Sequence, residues 1–296
     1  MTAKNPIKGN IIKDKFFLGI VITLSVISMI PLILILYYIF SHGIPFLSAK
    51  FFMLNSPSSM DISVYQTLEG AARAQAIGGV RNSLIGSFLI VGVGALMSIP
   101  FGVIVGLFLA ENPYSKFGQV VQVAVDMIQG IPSIIFGIVL AIWMVKTAGI
   151  HAFAASVALA LMMLPMVIKN TEETLKLVPN NIKEAAMGLG TPYWRMIAKI
   201  VLPSGLSGII TGVLVGLSRI LGETAPLIFT AKMSNYISWN MSEKMYALPT
   251  LIYNESTKGT QNMIDNAWGA SVVLIVLVLL LNIIMKVVSS KWKIKF

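Results

Sequence analysis

The 296-residue chain has no cysteine, only two histidines, and charged side chains at 11% against 56% hydrophobic. Each shortage excludes something. Without cysteine there is no disulfide, no thiolate metal site and no Cys nucleophile. His42 and His151 stand far apart in sequence, each beside the end of a hydrophobic run, which leaves a histidine metal site short of ligands. A soluble domain carries roughly 25% charged residues, so this composition describes an integral membrane protein whose length counts spans rather than soluble domains. Acidic residues are the scarcer sign, 12 Asp and Glu against 22 Lys and Arg, for a net charge of +10. In a soluble protein that excess would raise nucleic-acid binding, but no aromatic-basic RNA or DNA module accompanies it. No G-x-x-x-x-G-K-[ST] stretch and no Gly-Lys dipeptide occurs, so the chain carries no P-loop of its own. No cluster of His, Asp and Glu and no Ser-based nucleophile motif supports an enzyme.

What is present is a series of apolar runs at 16–40, 84–110, 120–145, 153–168, 205–230 and 267–288. Each is read as a helical span of a bilayer roughly 30 Å thick. The first is too long for a signal-peptide core and S-H-G-I-P after it offers no cleavage site; Pro31 is placed to kink it. Six spans put both termini on one side. With that topology the terminal side holds fourteen Lys and Arg and the other side seven, with Arg219 left inside a span. The positive-inside rule therefore assigns both termini, and the loop at 169–203, to the cytoplasm.

That loop is basic and patterned. Pro179-Asn180-Asn181 interrupts the chain, and Ile182, Ala185, Ala186 and Leu189 follow at helical spacing. Gly188 and Gly190 end this helix. Thr191-Pro192 is expected to start another, with Thr as N-cap and Pro in the first helical position. Pro203 marks entry into span five. The resulting helix–turn–helix offers small residues, Ala185 and Ala186, beside Lys183 and Glu184, a face that another protein can approach closely. An amphipathic hairpin lying on lipid headgroups through Lys176, Lys183, Arg195 and Lys199 fits the same residues equally well.

Two spans carry polar residues. On a continuous span five, Gly205, Gly208, Gly212, Gly216, Arg219 and Glu223 fall within roughly 80° of one face. The glycines permit either close helix approach or room for a passage. Arg219 would lie about 24 Å and Glu223 about 30 Å from Pro203, in the outer half of the bilayer. An intramembrane Arg must face protein or water. Glu223 at i+4 is its candidate partner, although Arg before Glu is the weaker order for a helical pair. Either the two form a structural ion pair, or Arg219 offers its guanidinium fork to an oxyanion in transit with Glu223 as resting partner. On span three, Gln122, Asp126, Gln129 and Ser133 lie within about 60° of each other, beside Gly130-Ile131-Pro132. They are candidates for substrate contact or for bonding between helices. Lys169, at the inner end of span four, is placed to snorkel to the interface.

Glu184-Ala185-Ala186, Gly190, Ile200 and Leu202-Pro203 together resemble, in full spacing, the EAA motif of ABC-importer permeases. The stretch R-I-L-G-E-T-A-P-L-I-F-T-A at 219–231 is similar to the permeases of bacterial phosphate ABC importers. So are G-I-P-S-I-I-F-G (130–137), K-N-T-E-E-T-L-K-L-V-P (169–179) and Ile77-Gly78-Gly79. Ala225-Pro226-Leu227 favours one of the two permease types in such an importer over its sister. Lys169 departs from the resemblance, because many family members carry Arg there.

The resemblance implies an all-α integral membrane protein with six transmembrane helices. Residues 77–289 would form a type I (MetI-like) permease core. Residues 1–76 would supply one extra N-terminal helix and an extracytoplasmic segment, and 290–296 a basic cytoplasmic tail. It further implies a bacterial cytoplasmic membrane, a sister permease as heterodimer partner, and two copies of a separate ATPase. An extracytoplasmic phosphate-binding protein would dock on 41–81 and 232–266, with Tyr236, Trp239, Tyr246 and Trp268 as candidate docking residues. Glu184, Ala185, Ala186, Gly190, Ile200, Leu202 and Pro203 would couple to the ATPase. Arg219, Glu223, Lys169, Asp126 and Gln129 would line the substrate path. No catalytic residue, metal or cofactor is expected in this chain, since ATP and Mg are used by the partner. The rivals are a permease for sulfate, molybdate or phosphonate, and a secondary transporter needing no ATPase.

Overall fold

A computed structural model of the chain describes residues 6–291, so Lys4 and the end of the predicted basic tail lie outside the described residues. All regular structure within them is helical. In chain order we number α1 (Pro6–Gly43), α2 (Arg81–Glu111), α3 (Lys116–Gly130), α4 (Ser133–Val145), α5 (Ala152–Lys176) and α6 (Asn180–Gly188). There follow α7 (Tyr193–Leu221), α8 (Ala225–Thr230), α9 (Leu248–Lys258) and α10 (Gln261–Lys291). Among the described residues five helices, α1, α2, α5, α7 and α10, are long and apolar enough to cross a membrane, and α3 with α4 makes a sixth if that bent pair is one span.

The core is built around α5, whose Ala154, Ala155, Ala158, Leu159 and Met163 are fully buried. Small side chains on its neighbours let them come close. On α2, Gly94, Ser98, Gly102, Gly106 and Ala110 recur every four residues and all are buried, the small-xxx-small seam of membrane helices. A Cβ on Gly102 would stand 2.7 Å from the Val167 side chain, and one on Gly106 2.6 Å from the Ile168 carbonyl oxygen. Helix α7 runs antiparallel along another side, with Gly205 against Leu175, Gly208 against Thr174, Gly212 against Asn170 and Gly216 against Met163. Of the two uses open to these glycines, close approach is the one realised.

Helix α1 stands apart, with its apolar side chains exposed, running through Pro31 without a break and meeting α10 near its own C-terminal end. There Tyr38 meets Trp268 edge-on at 5.4 Å between ring centres, and His42 lies tilted against it at 5.3 Å. The connection 44–80 is folded rather than loose. The start of α10 holds it through Asn262, which donates to the Ser58 and Ala76 carbonyls, and Asn266, which donates to those of Ile77 and Gly79. Gly78 sits at φ +70°, a backbone state that a side chain would strain.

Three sequence expectations need correction. Span three is two helices, α3 and α4, meeting at 95°. Pro132 removes a donor and pushes Ile131 out of the helical region, to φ −74° and ψ 126°. Span five ends at Leu221, with Gly222 as C-cap, and a short α8 carrying Pro226 follows. Its inner end reaches back to Tyr193, because a π-turn at Ile197–Val201 carries the helix into Pro203. Pro203 is therefore inside the helix, Pro192 is its N-cap, and Thr191 caps nothing.

Candidate functional site

The predicted coupling loop is shorter than 169–203, since α5 continues to Lys176. What remains is α6, a tight turn, and the start of α7. Helix α6 closes as a glycine C-cap should: Gly190 takes φ +79° and the Thr191 N–H donates to the Ala186 carbonyl at 3.2 Å. The motif residues divide by direction. Glu184 and Ala185 face outward, with Leu189 and Trp194 exposed beside them. Ala186 turns inward onto Leu175, Met196, Ile197 and Val201, and Ile200 and Leu202 pack half-buried on that cluster. Pro203 is exposed. Thus only part of the predicted coupling set presents a surface, and the rest seats the hairpin on the bundle.

One ion pair fastens α6 to the spans. Lys183 Nζ lies 2.5 Å from Glu111 Oε1, on the last residue of α2, with the two side chains 13% and 9% exposed. Tyr193 Oη donates to the other oxygen of Glu111 at 3.4 Å.

The predicted path residues fall into two separate groups. At the inner level, Lys169 on α5 is paired with Asp126 on α3. A second rung follows, in which Gln122 Nε2 donates to Glu172 Oε1 at 3.2 Å and Lys176 closes on the same oxygen at 2.6 Å. Lys169 therefore bonds across helices instead of reaching for the interface. Gln129 is exposed and Ser133 lies beyond the bend, so the predicted stripe ends with α3. At the outer level Arg219 is exposed on the last turn of α7, and Glu223 is half-buried in the break that follows. No ion pair joins these two, because the helix that would bring i and i+4 together has ended. Gly216 lies beside Met163, which sets Arg219 and Lys169 roughly 13 Å apart along α5. Helices α4 and α8, the short pieces after the two breaks, pack on each other; a Cβ on Gly137 would stand 2.6 Å from Pro226 Cα.

Residues 102–293 match the family described as binding-protein-dependent transport system inner membrane component. This chain belongs to that family. The phosphate transport system permease protein PstA of Haemophilus influenzae is 38% identical over 272 residues, 91% of each chain. PstA 1 of Mycobacterium tuberculosis is 32% identical over 287 residues, 96% of this chain and 89% of its own. An inward-facing form of the MetNI methionine ABC transporter covers 79% of this chain and 99% of its own at a TM-score of 0.61. At 20% identity that likeness is one of fold.

The permease also contains polar groups that sequence reading missed. Glu172 was assigned to the loop, yet it is buried on α5; Ile168, Thr171 and Leu175 carry the helical period past Lys169 and would have revealed it. Glu111 gave no signal, since nothing in E-N-P-Y points to Lys183. Outside the spans, Glu255 on α9 is fully buried and neither carboxyl oxygen has a hydrogen-bond partner. Burial pushes its carboxyl up to about 9. Burial, then the nearby Glu255 charge, raise the Tyr246 hydroxyl well above its ordinary value. At 1% exposure Tyr246 cannot dock a partner, and Trp268 is half-buried against α1, whereas Tyr236 (82%) and Trp239 (72%) stand free.

Proposed function

We propose that this permease is the PstA-type membrane subunit of an ATP-driven importer of inorganic phosphate. The observation that carries the reading is its similarity, over nine-tenths of its length, to proteins named as phosphate transport permeases. It pairs with a PstC-like permease as a heterodimer. Two PstB-like ATPases supply ATP and Mg chemistry, and a phosphate-binding protein delivers substrate to the outer face. The chain itself holds no cofactor or metal, contacts no nucleic acid, and sits in bacterial membrane lipid with both termini cytoplasmic, as the charge bias supports.

Glu184 and Ala185, with exposed Leu189 and Trp194, form the surface that seats in the ATPase. An outward acidic residue amid apolar ones suits a protein cleft better than anionic headgroups. Ala186, Gly190, Ile200, Leu202 and Pro203 shape and seat that hairpin. In the path, Arg219 and Glu223 meet the anion at the outer level. Lys169, Asp126 and Gln129 meet it at the inner level, where phosphate competes with Asp126 for the Lys169 ammonium. Lys supplies a point charge there rather than a bidentate fork.

The test is uptake of labelled phosphate into vesicles holding the permease with its partners, challenged with excess sulfate or molybdate. Uptake that needs ATP and ignores both competitors is expected. Uptake abolished by either anion would move the substrate to another oxyanion, and uptake indifferent to ATP would point to a secondary transporter.

A further inference from the structure

We infer that the Lys183–Glu111 pair is the mechanical joint through which movement of α6 reaches the membrane spans, a positioning role distinct from docking the ATPase. The inference rests on the proposed function, in which α6 couples to an ATPase. Five observations carry it. The pair joins residues 72 apart in sequence at 2.5 Å, and it is the ion pair among the described residues in which both side chains are largely buried, at 13% and 9% exposure. The other three each leave one partner a third or more exposed. Screening by solvent is therefore least at this joint.

Neither charge is placed to help its own helix. Glu111 is the last residue of α2 and Lys183 the fourth of α6, so each stands at the end where the helix macrodipole opposes it. Local stability cannot account for either residue, whereas their attraction across the gap can. The lone pairs of Glu111 are also used from two sides, by Lys183 and by Tyr193 at the start of α7. Glu111 thus links α6 and α7 to α2.

Beyond Glu111 the chain of contacts is stiff. Helix α2 is keyed into α5 at Gly102 and Gly106, where a methyl group would not fit, and α5 is keyed in turn into α7 at Gly205, Gly208 and Gly212. A displacement of α6 applied to the end of α2 cannot be absorbed by loose packing along this seam. Lys183 stands next to Glu184 in sequence, about 100° round the helix, one bound to the bundle and the other exposed. Motion imposed at Glu184 and Ala185 reaches Glu111 within a single turn of helix.

The test uses the assembled transporter in proteoliposomes and reads phosphate taken up per ATP hydrolysed, alongside the amount of ATPase that co-purifies. Glu111→Gln and Lys183→Met are expected to retain the ATPase and its hydrolysis while uptake per ATP falls roughly tenfold, the size of an ordinary coupling between sites. The exchanged pair Glu111→Lys with Lys183→Glu is expected to restore the ratio, since it keeps the attraction and puts each charge at the favourable helix end. Single variants with an unchanged ratio would overturn the inference. So would variants that lose the ATPase itself, because the pair would then be part of the docking surface. Should single variants fail to assemble, the exchanged pair decides alone, and a ratio well below that of the unsubstituted complex would count against the joint. An unsubstituted complex without ATP-dependent uptake would instead sink the proposed function.

Discussion

At the scale of single residues, this protein separates charges that are placed from charges that are tolerated. Arg219 and Asp126 are exposed in the single chain, and Lys169, paired with Asp126, is a third open. Glu255 is the opposite case. It is buried without a partner, and its carboxyl stays protonated to about pH 9 instead of its ordinary 4.5. The unfolded chain releases that proton at the lower value, so the folded state binds more protons across the interval. Stability from this group is greatest at low pH, falls as pH rises through the interval by about 1.4 kcal/mol per unit, and levels off above it. Glu255→Gln is therefore expected to flatten the pH dependence of the thermal midpoint between about pH 5 and about pH 9. A variant that keeps the parental slope would show that this carboxyl is not held neutral.

At the scale of elements, glycine has two different uses, and a single helix displays both. Gly106 of α2 lies under the Ile168 carbonyl, where a Cβ would stand 2.6 Å away, whereas a Cβ on Gly92 of the same helix meets nothing within 4 Å. Gly106→Ala must push α5 aside and is expected to cost about 1–3 kcal/mol, as overpacking does. Gly92→Ala removes backbone freedom from the unfolded chain at no steric cost, and is expected to be neutral or to stabilise by up to about 1 kcal/mol. Thermal unfolding in one detergent compares the two directly; equal effects would refute the keyed seam. The same scale explains the misjudged spans. Composition makes 120–145 and 205–230 continuous apolar runs, but Pro132 and the Gly222–Pro226 stretch decide the backbone, and each splits its run into two helices. The G-I-P triplet carries a local break signal that the continuous span-three reading passed over. That the two short pieces then pack together through Gly137 and Pro226 was not, because it depends on how α3 and α7 are aimed.

At the scale of the whole molecule, the single chain looks like half of a pathway. Arg219, Gln129 and Asp126 are exposed in the single chain. Exposed Arg in hydrocarbon is costly, so a second subunit or water must cover this face. ATP-driven phosphate uptake is expected to vanish in vesicles that hold this permease and the ATPase but lack the second permease, and to return when it is added. Uptake by the lone permease with its ATPase would mean that one chain, or two copies of it, completes the path.

The sequence by itself determined that this is an all-helical membrane protein, roughly where its apolar segments lie, and where the 180–203 hairpin begins and turns. Those features follow from hydrophobic run length, charge bias and turn chemistry, all of which act over neighbouring residues. Only the tertiary structure decided that the span-five glycines pack on α5, that Arg219 and Glu223 part at a helix end, and that Lys169 meets Asp126. It also decided that Glu111 holds Lys183 and that Tyr246 is buried. These depend on which helix faces which, and side-chain pairing across a bundle is set by crossing geometry and close packing between residues far apart in sequence, for which no local pattern exists.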